Sequence, residues 1–289
     1  MNHTFDELFA QYLPSVSGEL RGFYRIECAN VRLSAFFGGR DLAAIGRADV
    51  SAYIRRRRGD GVANATINRE LDVFSAALNY ARKRWEWDIP NPVTGMSLRM
   101  PEGRLRWLTR EEAARLIAAA DGGANRCLGD FIRLALHTGM RLNEMLGLEW
   151  HRVDFAARRL QLDGQHTKSG RRRFIPLNES ALAALRSRLE FRLEHCARSP
   201  WVFAWEDGRR VHRLWEQFQT AKKRAGIVDF RIHDLRHTFA SWLVGAGVPL
   251  TEVRDLLGHA SIRETERYAH LAPGRLSQAV ALLDMQMAA

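Results

Sequence analysis

A stretch rich in proline and glycine interrupts the chain and limits how its hydrophobic cores can be arranged. Residues 89–107, "IPNPVTGMSLRMPEGRLRW", contain three prolines and two glycines and follow neither a helical nor a strand period. Both residue types interrupt regular structure, so this composition is typical of a linker. A chain of 289 residues is long enough to bury two cores. The sequence therefore predicts one domain over residues 1–89, a linker over 90–107 and a second domain over 108–289.

The first domain is predicted to be helical. In "TINRELDVFSAALNYARKRW", apolar residues recur at alternating steps of four and three, as on one side of a helix: Ile67, Leu71, Phe74, Leu78, Ala81 and Trp85. The stretch "RADVSAYIRRRRGDG" predicts a shorter helix that ends in a Gly-Asp-Gly stop after a basic run, Arg55, Arg56, Arg57 and Arg58. This run is either a solvated helix end or a set of phosphate contacts, and we weigh the two interpretations equally.

The second domain is predicted to be mostly helical, with one small sheet. Thr109 and Glu112 have capping-box spacing in "LTREEAARLIAAA", at its start. An alternating stretch followed by turn residues predicts a small antiparallel sheet over 152–177, with Lys168 at a hairpin tip. Helices are predicted over 179–195, 211–225 and 231–245, and in "LTEVRDLLGHAS" and "IRETERYAHLA". The expected fold class is mainly α with a small antiparallel β-sheet.

The charge of the chain indicates its partner. The chain has 44 basic and 33 acidic residues, a net charge of +11 and a pI near 10.4. Residues 105–289 hold 29 basic and 21 acidic residues, so they carry +8 of the total. This excess suits a polyanion, although an arginine-rich genome produces the same bias. Four of the basic residues are lysines, which makes a lysine at a hairpin tip notable.

Other classes of protein are disfavoured. The chain has no apolar run of about eighteen residues, and its start "MNHTFDELFA" carries acids where a signal peptide carries basic residues. We therefore expect a cytoplasmic protein without a membrane partner. The cysteines are far apart and odd in number, so neither a disulfide framework nor a cysteine-pair metal site is available. We expect Cys28, Cys127 and Cys196 to be small core residues.

The segment "FRIHDLRHTFASWL", residues 230–243, predicts a helix with two different faces. Its apolar stripe consists of Leu235, Phe239, Trp242 and Leu243. His233, Arg236 and His237 fall together on the opposite face. Two histidines one turn apart can bind zinc, but the metalloprotease pattern has glutamate after the first histidine, where this chain has Asp234. Because Arg236 would put a cation beside the metal, we expect no metal cofactor.

Four other segments hold polar residues suited to phosphate chemistry: Arg141 and Glu144 in "TGMRLNEMLGLEW", Lys168 at the hairpin tip, His259 in "LLGHAS" and Tyr268 in "ETERYAHL". The His233–Arg236 helix falls between Lys168 and His259, and the five segments in chain order resemble the tyrosine recombinase (phage integrase) family over residues 105–275. The helical unit 1–89 resembles the core-binding domain of that family. A further N-terminal arm-binding domain is expected to be absent.

The resemblance implies a two-domain DNA clamp, in which a helical core-binding (SAM-like) DNA-binding domain precedes an α+β catalytic domain. It implies a site-specific recombinase that cleaves and rejoins DNA strands through a 3′-phosphotyrosyl intermediate, without a cofactor. The partners would be double-stranded DNA and further copies of the chain, in a tetramer on DNA. The segment "LSQAVALLDMQM" is predicted to be an apolar helix that docks on a neighbouring subunit or, equally, on its own core.

The resemblance also assigns a role to each residue. Tyr268 attacks the scissile phosphate, since a deprotonated phenol is a moderate nucleophile and can later be expelled. Arg141 and Arg236 neutralise the charge that develops at phosphorus, because a guanidinium holds two oxygens and keeps its charge. Glu144 orients Arg141. Lys168 gives a proton to the departing 5′-oxygen, for which arginine is a poor donor.

The remaining residues have roles that are less specific. His233 handles the proton of the tyrosine, and His259 binds a non-bridging oxygen. His237 and His270 have no role in this scheme and are expected to be structural. A basic group beside the hairpin tip is expected to bind DNA together with the run at residues 55–58: Arg171, Arg172 and Arg173.

Three alternatives remain. A type IB topoisomerase uses a similar set of arginine, lysine, histidine and tyrosine, but the motifs "TGMRLNEML" and "LLGHAS" favour the recombinase. A DNA-binding regulator that keeps the fold without cutting is disfavoured by the intact catalytic set. A zinc hydrolase is the most distant of the three.

Overall fold

The computed structural model of the chain describes residues 3–18, 22–100, 104–123, 127–163 and 172–272. Within these ranges the chain forms α-helices and one three-stranded antiparallel sheet, which confirms the expected fold class. It divides into two compact units, Met1–Gly103 and Arg104–Ala289, and their boundary falls inside the predicted linker. None of the helices within the described ranges has both the length and the apolar character that a membrane span needs.

The first unit, in its described residues, is built from four α-helices and a short 3-10 helix over Leu42–Ala44: α1 (Phe5–Val16), α2 (Phe23–Phe37), α3 (Arg47–Gly59) and α4 (Asn64–Arg84). Helix α4 carries the predicted apolar seam, which is buried from Ile67 to Ala81, whereas Trp85 caps the helix and is half-buried. The ring centroid of Phe74 lies 5.3 Å from that of Phe5 and 5.2 Å from that of Phe37. Aromatic packing of this kind contributes beyond the area that the rings bury.

The basic run at the end of α3 is divided between two structural roles. Arg57 makes a bidentate ion pair with Glu70, with Nε and Nη2 donating to the two carboxylate oxygens at 2.9 and 2.6 Å. The Tyr53 hydroxyl donates to the same carboxylate at 2.7 Å. Glu70 is buried, so Arg57 compensates a charge inside this unit. Of the four arginines predicted as possible phosphate contacts, the other three are exposed: Arg55, Arg56 and Arg58.

The second unit contains the sheet and the remaining described helices: α5 (Arg110–Asp121), α6 (Cys127–Thr138), α7 (Leu142–Leu146), β1 (Val153–Asp154), β2 (Arg159–Leu162), β3 (Arg173–Pro176), α8 (Glu179–His195), α9 (Trp215–Arg224), α10 (Asp234–Gly245), α11 (Leu250–Leu257) and α12 (Arg263–Glu266). The predicted capping box of α5 is confirmed, because Thr109 Oγ1 accepts the Glu112 N–H at 3.2 Å and Glu112 Oε2 accepts the Thr109 N–H at 3.0 Å.

The predicted sheet is confirmed in its described strands. The strand order is β1-β2-β3, and Leu160 pairs with Ile175, both buried against the main core of the unit. The predicted hairpin tip, with Lys168 and Arg171, lies outside the described residues, as does the predicted C-terminal helix.

Three predicted elements are wrong in detail. Helix α9 begins at Trp215, later than predicted, and α10 begins at Asp234, whose carboxylate accepts the Arg231 N–H at 2.9 Å. The predicted helix through "IRETERYAHLA" is two short pieces, α12 and a 3-10 turn over Ala269–Leu271, because its hydrogen bonds tighten to i→i−3. Cys28 is exposed rather than buried.

Candidate active site

Helix α10 is buried on more than its apolar stripe. Leu235 belongs to the main core of the second unit, while Phe239, Ala240 and Val244 pack in a separate cluster with α11. The opposite face of α10, which the sequence predicts to be polar, is also partly buried. Arg236, on that face, is only 4% exposed. A buried guanidinium needs acceptors for its N–H groups, and the surrounding backbone provides them.

Two backbone carbonyls hold Arg236. Its Nη1 donates to the Gly139 carbonyl and its Nη2 to the Leu257 carbonyl, both at 2.7 Å. Gly139 has φ +61°, a conformation that favours glycine, and a Cβ there would overlap the Phe239 ring. The glycine of "TGMR" thus places a carbonyl against Arg236. A guanidinium has five N–H donors, so this arrangement fixes its plane and leaves donors for an anion.

Arg141 precedes α7 as its N-cap residue and contacts Glu144, as predicted. Glu144 reaches back to the start of the helix, where Oε2 accepts the Arg141 N–H at 2.9 Å and Oε1 accepts Nη1 at 3.0 Å. The Arg141 Nη2 donates to the Gly258 carbonyl at 3.3 Å. Arg141 and Arg236 therefore reach neighbouring carbonyls, those of Gly258 and Leu257, at the end of α11.

Arg173, one of the residues predicted to bind DNA, contacts the same groups inside the protein. Its side chain is 10% exposed, and Nη2 donates to Glu144 Oε2 at 2.8 Å while Nη1 donates to the Leu257 carbonyl at 2.7 Å. The sequence places Arg173 at the base of a surface hairpin but does not show that the strand runs beside the end of α11. Its neighbour Arg172 is exposed and contacts Asp163 at 3.2 Å.

Arg141 and Arg173 both pair with the single carboxylate of Glu144, and Arg236 adds a third positive charge, so the cluster of Arg141, Arg173, Arg236 and Glu144 has an excess of positive charge. Burial, followed by the charges of Arg141 and Arg173, lowers the pKa of Arg236 to about 9. Burial also lowers the pKa of Arg173. The carbonyls at the C-terminal end of α11 offset only part of this charge. The arrangement is suited to an anion with several oxygens.

His259 follows directly after the carbonyls that the arginines contact. Helix α11 ends at Gly258, which has φ +63°, and the turn brings His259 beside Thr265. The Thr265 hydroxyl and Nδ1 of His259 are 2.8 Å apart. Burial and the charge of Arg236 lower the pKa of His259 to about 3, so the ring is neutral near pH 7. A neutral ring whose Nδ1 accepts the hydroxyl presents an N–H donor at Nε2.

Tyr268 is 1% exposed and packs with Phe239, Val253 and Leu257 between α10 and α11. Its hydroxyl lies 2.5 Å from Nδ1 of His237. Burial raises the pKa of Tyr268 to about 12. Burial, followed by the charge of His233, lowers the pKa of His237 to about 4. The neutral hydroxyl therefore donates to the neutral imidazole.

Tyr268 bonds to a different histidine from the one that the sequence analysis pairs with it. Among the residues that the structure describes, the Tyr268 hydroxyl bonds to His237 rather than to His233. His233 is exposed at the N-cap of α10, and its ring lies edge-on to that of His237 with centroids 5.3 Å apart. The sequence places both histidines on one face of α10, but nothing in their spacing says which one meets a tyrosine 31 residues later. His270 is exposed in the following turn.

Six of the predicted site residues lie in the second unit, on the elements described above: Arg141, Glu144, His233, Arg236, His259 and Tyr268. Lys168 lies outside the described residues. Within the described ranges, no three His, Cys, Asp or Glu side chains are grouped as a metal would require. The fold and the site define a mainly helical protein with a buried cluster of arginines and a buried tyrosine in its second unit.

Residues 106–275 match the phage integrase family. The chain belongs to that family.

Similar proteins come from phages and bacteria. The chain is 33% identical over 234 residues to the integrase of Salmonella phage P22, covering 76% of this chain and 57% of that protein. It is 31% identical over 261 residues to the tyrosine recombinase XerD of Mycobacterium leprae, covering 80% and 79% of the two chains. The match spans 57–66% of the length of the integrases of phages P22, HP1 and 186.

Solved structures share the fold. A Tn1549 transposon integrase in complex with transposon right end DNA superposes with a TM-score of 0.79 at 19% identity, covering 99% of this chain and 100% of that one. A lambda integrase dimer bound to a core site gives a TM-score of 0.76 at 18% identity, covering 94% and 79% of the two chains.

Proposed function

We propose that the protein is a site-specific DNA recombinase that cleaves and rejoins DNA strands through a 3′-phosphotyrosyl intermediate. One observation carries the proposal: Arg141 and Arg236 converge on the carbonyls of Gly258 and Leu257, beside His259, and Tyr268 packs against the same end of α11. Membership of the phage integrase family supports it. So does the likeness to integrases and to the tyrosine recombinase XerD.

The arginines would hold the scissile phosphate. Each guanidinium is fixed by protein acceptors through some of its N–H groups, and the others would bind the non-bridging oxygens. Positive groups held in place before the reaction stabilise the charge that develops at phosphorus without reorganising during it. His259 would add its Nε2–H to one of the same oxygens.

The tyrosine would then replace the DNA strand at phosphorus. A bond forms between the Tyr268 oxygen and phosphorus as the bond to the 5′-oxygen breaks, so the bond energy is kept in the phosphotyrosyl link. The tyrosine proton would leave through the hydrogen bond to His237, with His233 next to it. The departing 5′-oxygen would take a proton from Lys168, and a 5′-hydroxyl returns it when the strands are rejoined.

Double-stranded DNA is the proposed partner. The net charge of +11 suits it, and three exposed arginines of α3 together with Arg172 are the proposed phosphate contacts: Arg55, Arg56 and Arg58. Lambda integrase has been solved as a tetramer bound to a Holliday junction. We propose the same assembly for this protein on DNA, and a cytoplasmic location where such DNA is found. The two units would act as a clamp on the duplex.

The proposal is tested by trapping the covalent intermediate. Nicked duplexes with a randomised centre, which lose a short 5′-hydroxyl strand after cleavage, are incubated with the protein, and the denatured protein–DNA adduct is isolated and sequenced. The protein should form an adduct at one preferred sequence, while Tyr268→Phe should bind DNA without forming it. An adduct that persists with Tyr268→Phe would remove the nucleophile from its role. Relaxation of supercoiled DNA by monomers without site preference would indicate a topoisomerase instead.

A further inference from the structure

Arg173 touches the acceptor groups of both proposed phosphate-binding arginines. Its Nη2 donates to Glu144 Oε2, on the carboxylate that also holds Arg141, at 2.8 Å. Its Nη1 donates to the Leu257 carbonyl, which also accepts from Arg236. Arg173 thereby joins β3 to the start of α7 and to the end of α11.

The contacts of Arg173 require a specific shape at the end of α11. The side chain passes directly over Gly258, where a Cβ would overlap its guanidinium. Gly258 also has the left-handed φ of +63° that ends the helix. The glycine thus allows both the turn to His259 and the close approach of Arg173. One side chain therefore has fixed contacts on two sides of the anion site.

Arg173 is poorly placed to bind DNA itself. Its side chain is 10% exposed, and both terminal nitrogens already donate to protein acceptors. Its Nε is buried and has no partner among the described residues. The Arg173 side chain is less exposed than that of Arg141, 10% against 23%, and unlike Arg236, whose acceptors are both backbone carbonyls, Arg173 is paired with a carboxylate.

We propose that Arg173 is a positioning residue that sets the placement of Arg141 and Arg236 relative to each other. The inference rests on the proposed strand-cleavage function and adds a residue to it. Glu144 divides its two oxygens between Arg141 and Arg173, so loss of Arg173 leaves the carboxylate free to turn. The Leu257 carbonyl accepts hydrogen bonds from both Arg173 and Arg236. Without Arg173 it would bond only to Arg236, and Arg236 would be positioned less firmly.

The test compares DNA binding with strand cleavage in the full chain. The variants are Arg173→Gln, Arg173→Lys and, as a matched control, Arg159→Gln, which removes the same charge from β2 where the side chain is 49% exposed. Affinity is measured as a function of salt concentration on the duplex selected by covalent trapping. Single-turnover adduct formation is measured on the same duplex at saturating protein.

We expect Arg173→Gln to lose on the order of 100-fold in the rate of adduct formation, as when a catalytic group is displaced by about 1 Å. Its affinity and salt dependence should match those of the unchanged protein. Arg173→Lys has one ammonium for two acceptors, so its rate should be intermediate. Arg159→Gln should keep the full rate. A salt slope reduced by about one in Arg173→Gln, with a normal rate at saturation, would overturn the proposal and return Arg173 to DNA contact.

A second measurement separates positioning from a general loss of structure. Thermal unfolding identifies any variant that does not fold, and the lysine variant then replaces the glutamine variant. If Arg173 acts through Glu144, its substitution should reduce the rate much less in a Glu144→Gln background. Equal fold losses in both backgrounds would contradict the inference. Absence of an adduct with the unchanged protein would instead reject the proposed function, so the two failures are distinguishable.

Discussion

The Tyr268 hydroxyl lies 2.5 Å from Nδ1 of His237, and this contact ties the proposed nucleophile to the residue that follows Arg236 in the chain. Burial raises the pKa of Tyr268 to about 12 and lowers that of His237 to about 4. At neutral pH the hydroxyl keeps its proton and is a weak nucleophile. A proton acceptor must therefore be in place when the Tyr268 oxygen attacks. His237 is hydrogen-bonded to that oxygen and is the candidate acceptor.

Replacement of His237 by phenylalanine should slow cleavage without preventing DNA binding. The phenylalanine ring fills most of the volume that the His237 ring occupies between α10 and Tyr268, but it has no nitrogen to accept the hydroxyl proton. We expect single-turnover adduct formation to fall by roughly 100-fold or more, the usual contribution of a positioned acid or base. Affinity for the selected duplex should not change. His237→Gln, which retains an acceptor oxygen, should recover part of the rate.

The matched control is His270→Phe. His270 lies two residues after Tyr268 and is exposed in the 3-10 turn over Ala269–Leu271. Its substitution should leave the rate of adduct formation unchanged. A normal or increased rate for His237→Phe would mean that the contact with Tyr268 restrains the nucleophile rather than assisting it.

The stability of the protein should fall as the pH is lowered below about 6.5, the ordinary pKa of histidine. Burial and the neighbouring arginines lower the pKa of His259 to about 3, below its value in the unfolded chain. Between these two values the unfolded state binds more protons than the folded state, so the free energy of unfolding decreases as the pH falls. Above pH 6.5 the ring is neutral in both states, and its contribution is complete.

His259→Gln should reduce this pH dependence, because glutamine does not titrate. The check is the urea midpoint of the second unit at pH 7 and pH 4.5 for the unchanged protein and the variant. His212→Gln is the control, since His212 is exposed and its substitution should keep the original slope. If both variants lose stability equally as the pH falls, His259 is not buried in its neutral form.

Local sequence signals predict the elements and most of the site. The capping box at Thr109 and Glu112 marks the start of α5, and the apolar seam marks α4. The motifs around Arg141, Arg236 and His259 are recognisable because the residues of each motif lie close together in the sequence at a characteristic spacing. Each of these signals is contained within a few turns of one helix, so no tertiary information is needed.

Long-range partners are what the sequence does not contain. Arg173 meets Leu257 across 84 residues, and Arg57 meets Glu70 across 13. Both arginines occur in runs of arginine that are uniform as a pattern, RRRR and RRR. The fold alone decides which member of a run faces a buried carboxylate and which faces solvent. For the same reason the spacing of His233 and His237 does not show that His237 is the one bonded to Tyr268 in the structure described.

Gly139→Ala should damage the site more than an equivalent change elsewhere. Gly139 and Gly226 have similar φ values, +61° and +67°, but a Cβ at Gly226 meets nothing within 4 Å, while at Gly139 it overlaps Phe239. The left-handed conformation costs alanine about 1–2 kcal/mol at either position. At Gly139 overpacking should add roughly 1–3 kcal/mol and move the carbonyl that holds Arg236.

Denaturant unfolding and adduct formation check this pair of variants. Gly226→Ala should lose only the conformational part of the stability and keep its cleavage rate. Gly139→Ala should lose more stability and also cleave more slowly. Equal losses of stability in the two variants would show that the space around Gly139 can adapt, and that its carbonyl is not a fixed anchor.

Alanine substitutions of Arg57 and Arg55 should distinguish the stabilising role of the basic run in α3 from its proposed role in DNA contact. Arg57 is paired with Glu70, with side chains 13% and 6% exposed, whereas Arg55 is exposed. Arg57→Ala leaves a buried carboxylate without its cation, so the first unit should lose about 3–5 kcal/mol of unfolding free energy. Arg55→Ala should change stability by less than about 0.5 kcal/mol, as is usual for a surface position.

For DNA affinity, in contrast to stability, we expect the Arg55 substitution to have the larger effect. If Arg55 contacts a phosphate, Arg55→Ala reduces the slope of log affinity against log salt by about 0.9. Where Arg57→Ala remains folded, at low temperature, its salt slope should equal that of the unchanged protein, because its charge is already compensated by Glu70. A reduced slope for Arg57→Ala with unchanged stability would mean that Arg57 leaves Glu70 to bind DNA, and that the ion pair seen in the structure is broken on the duplex.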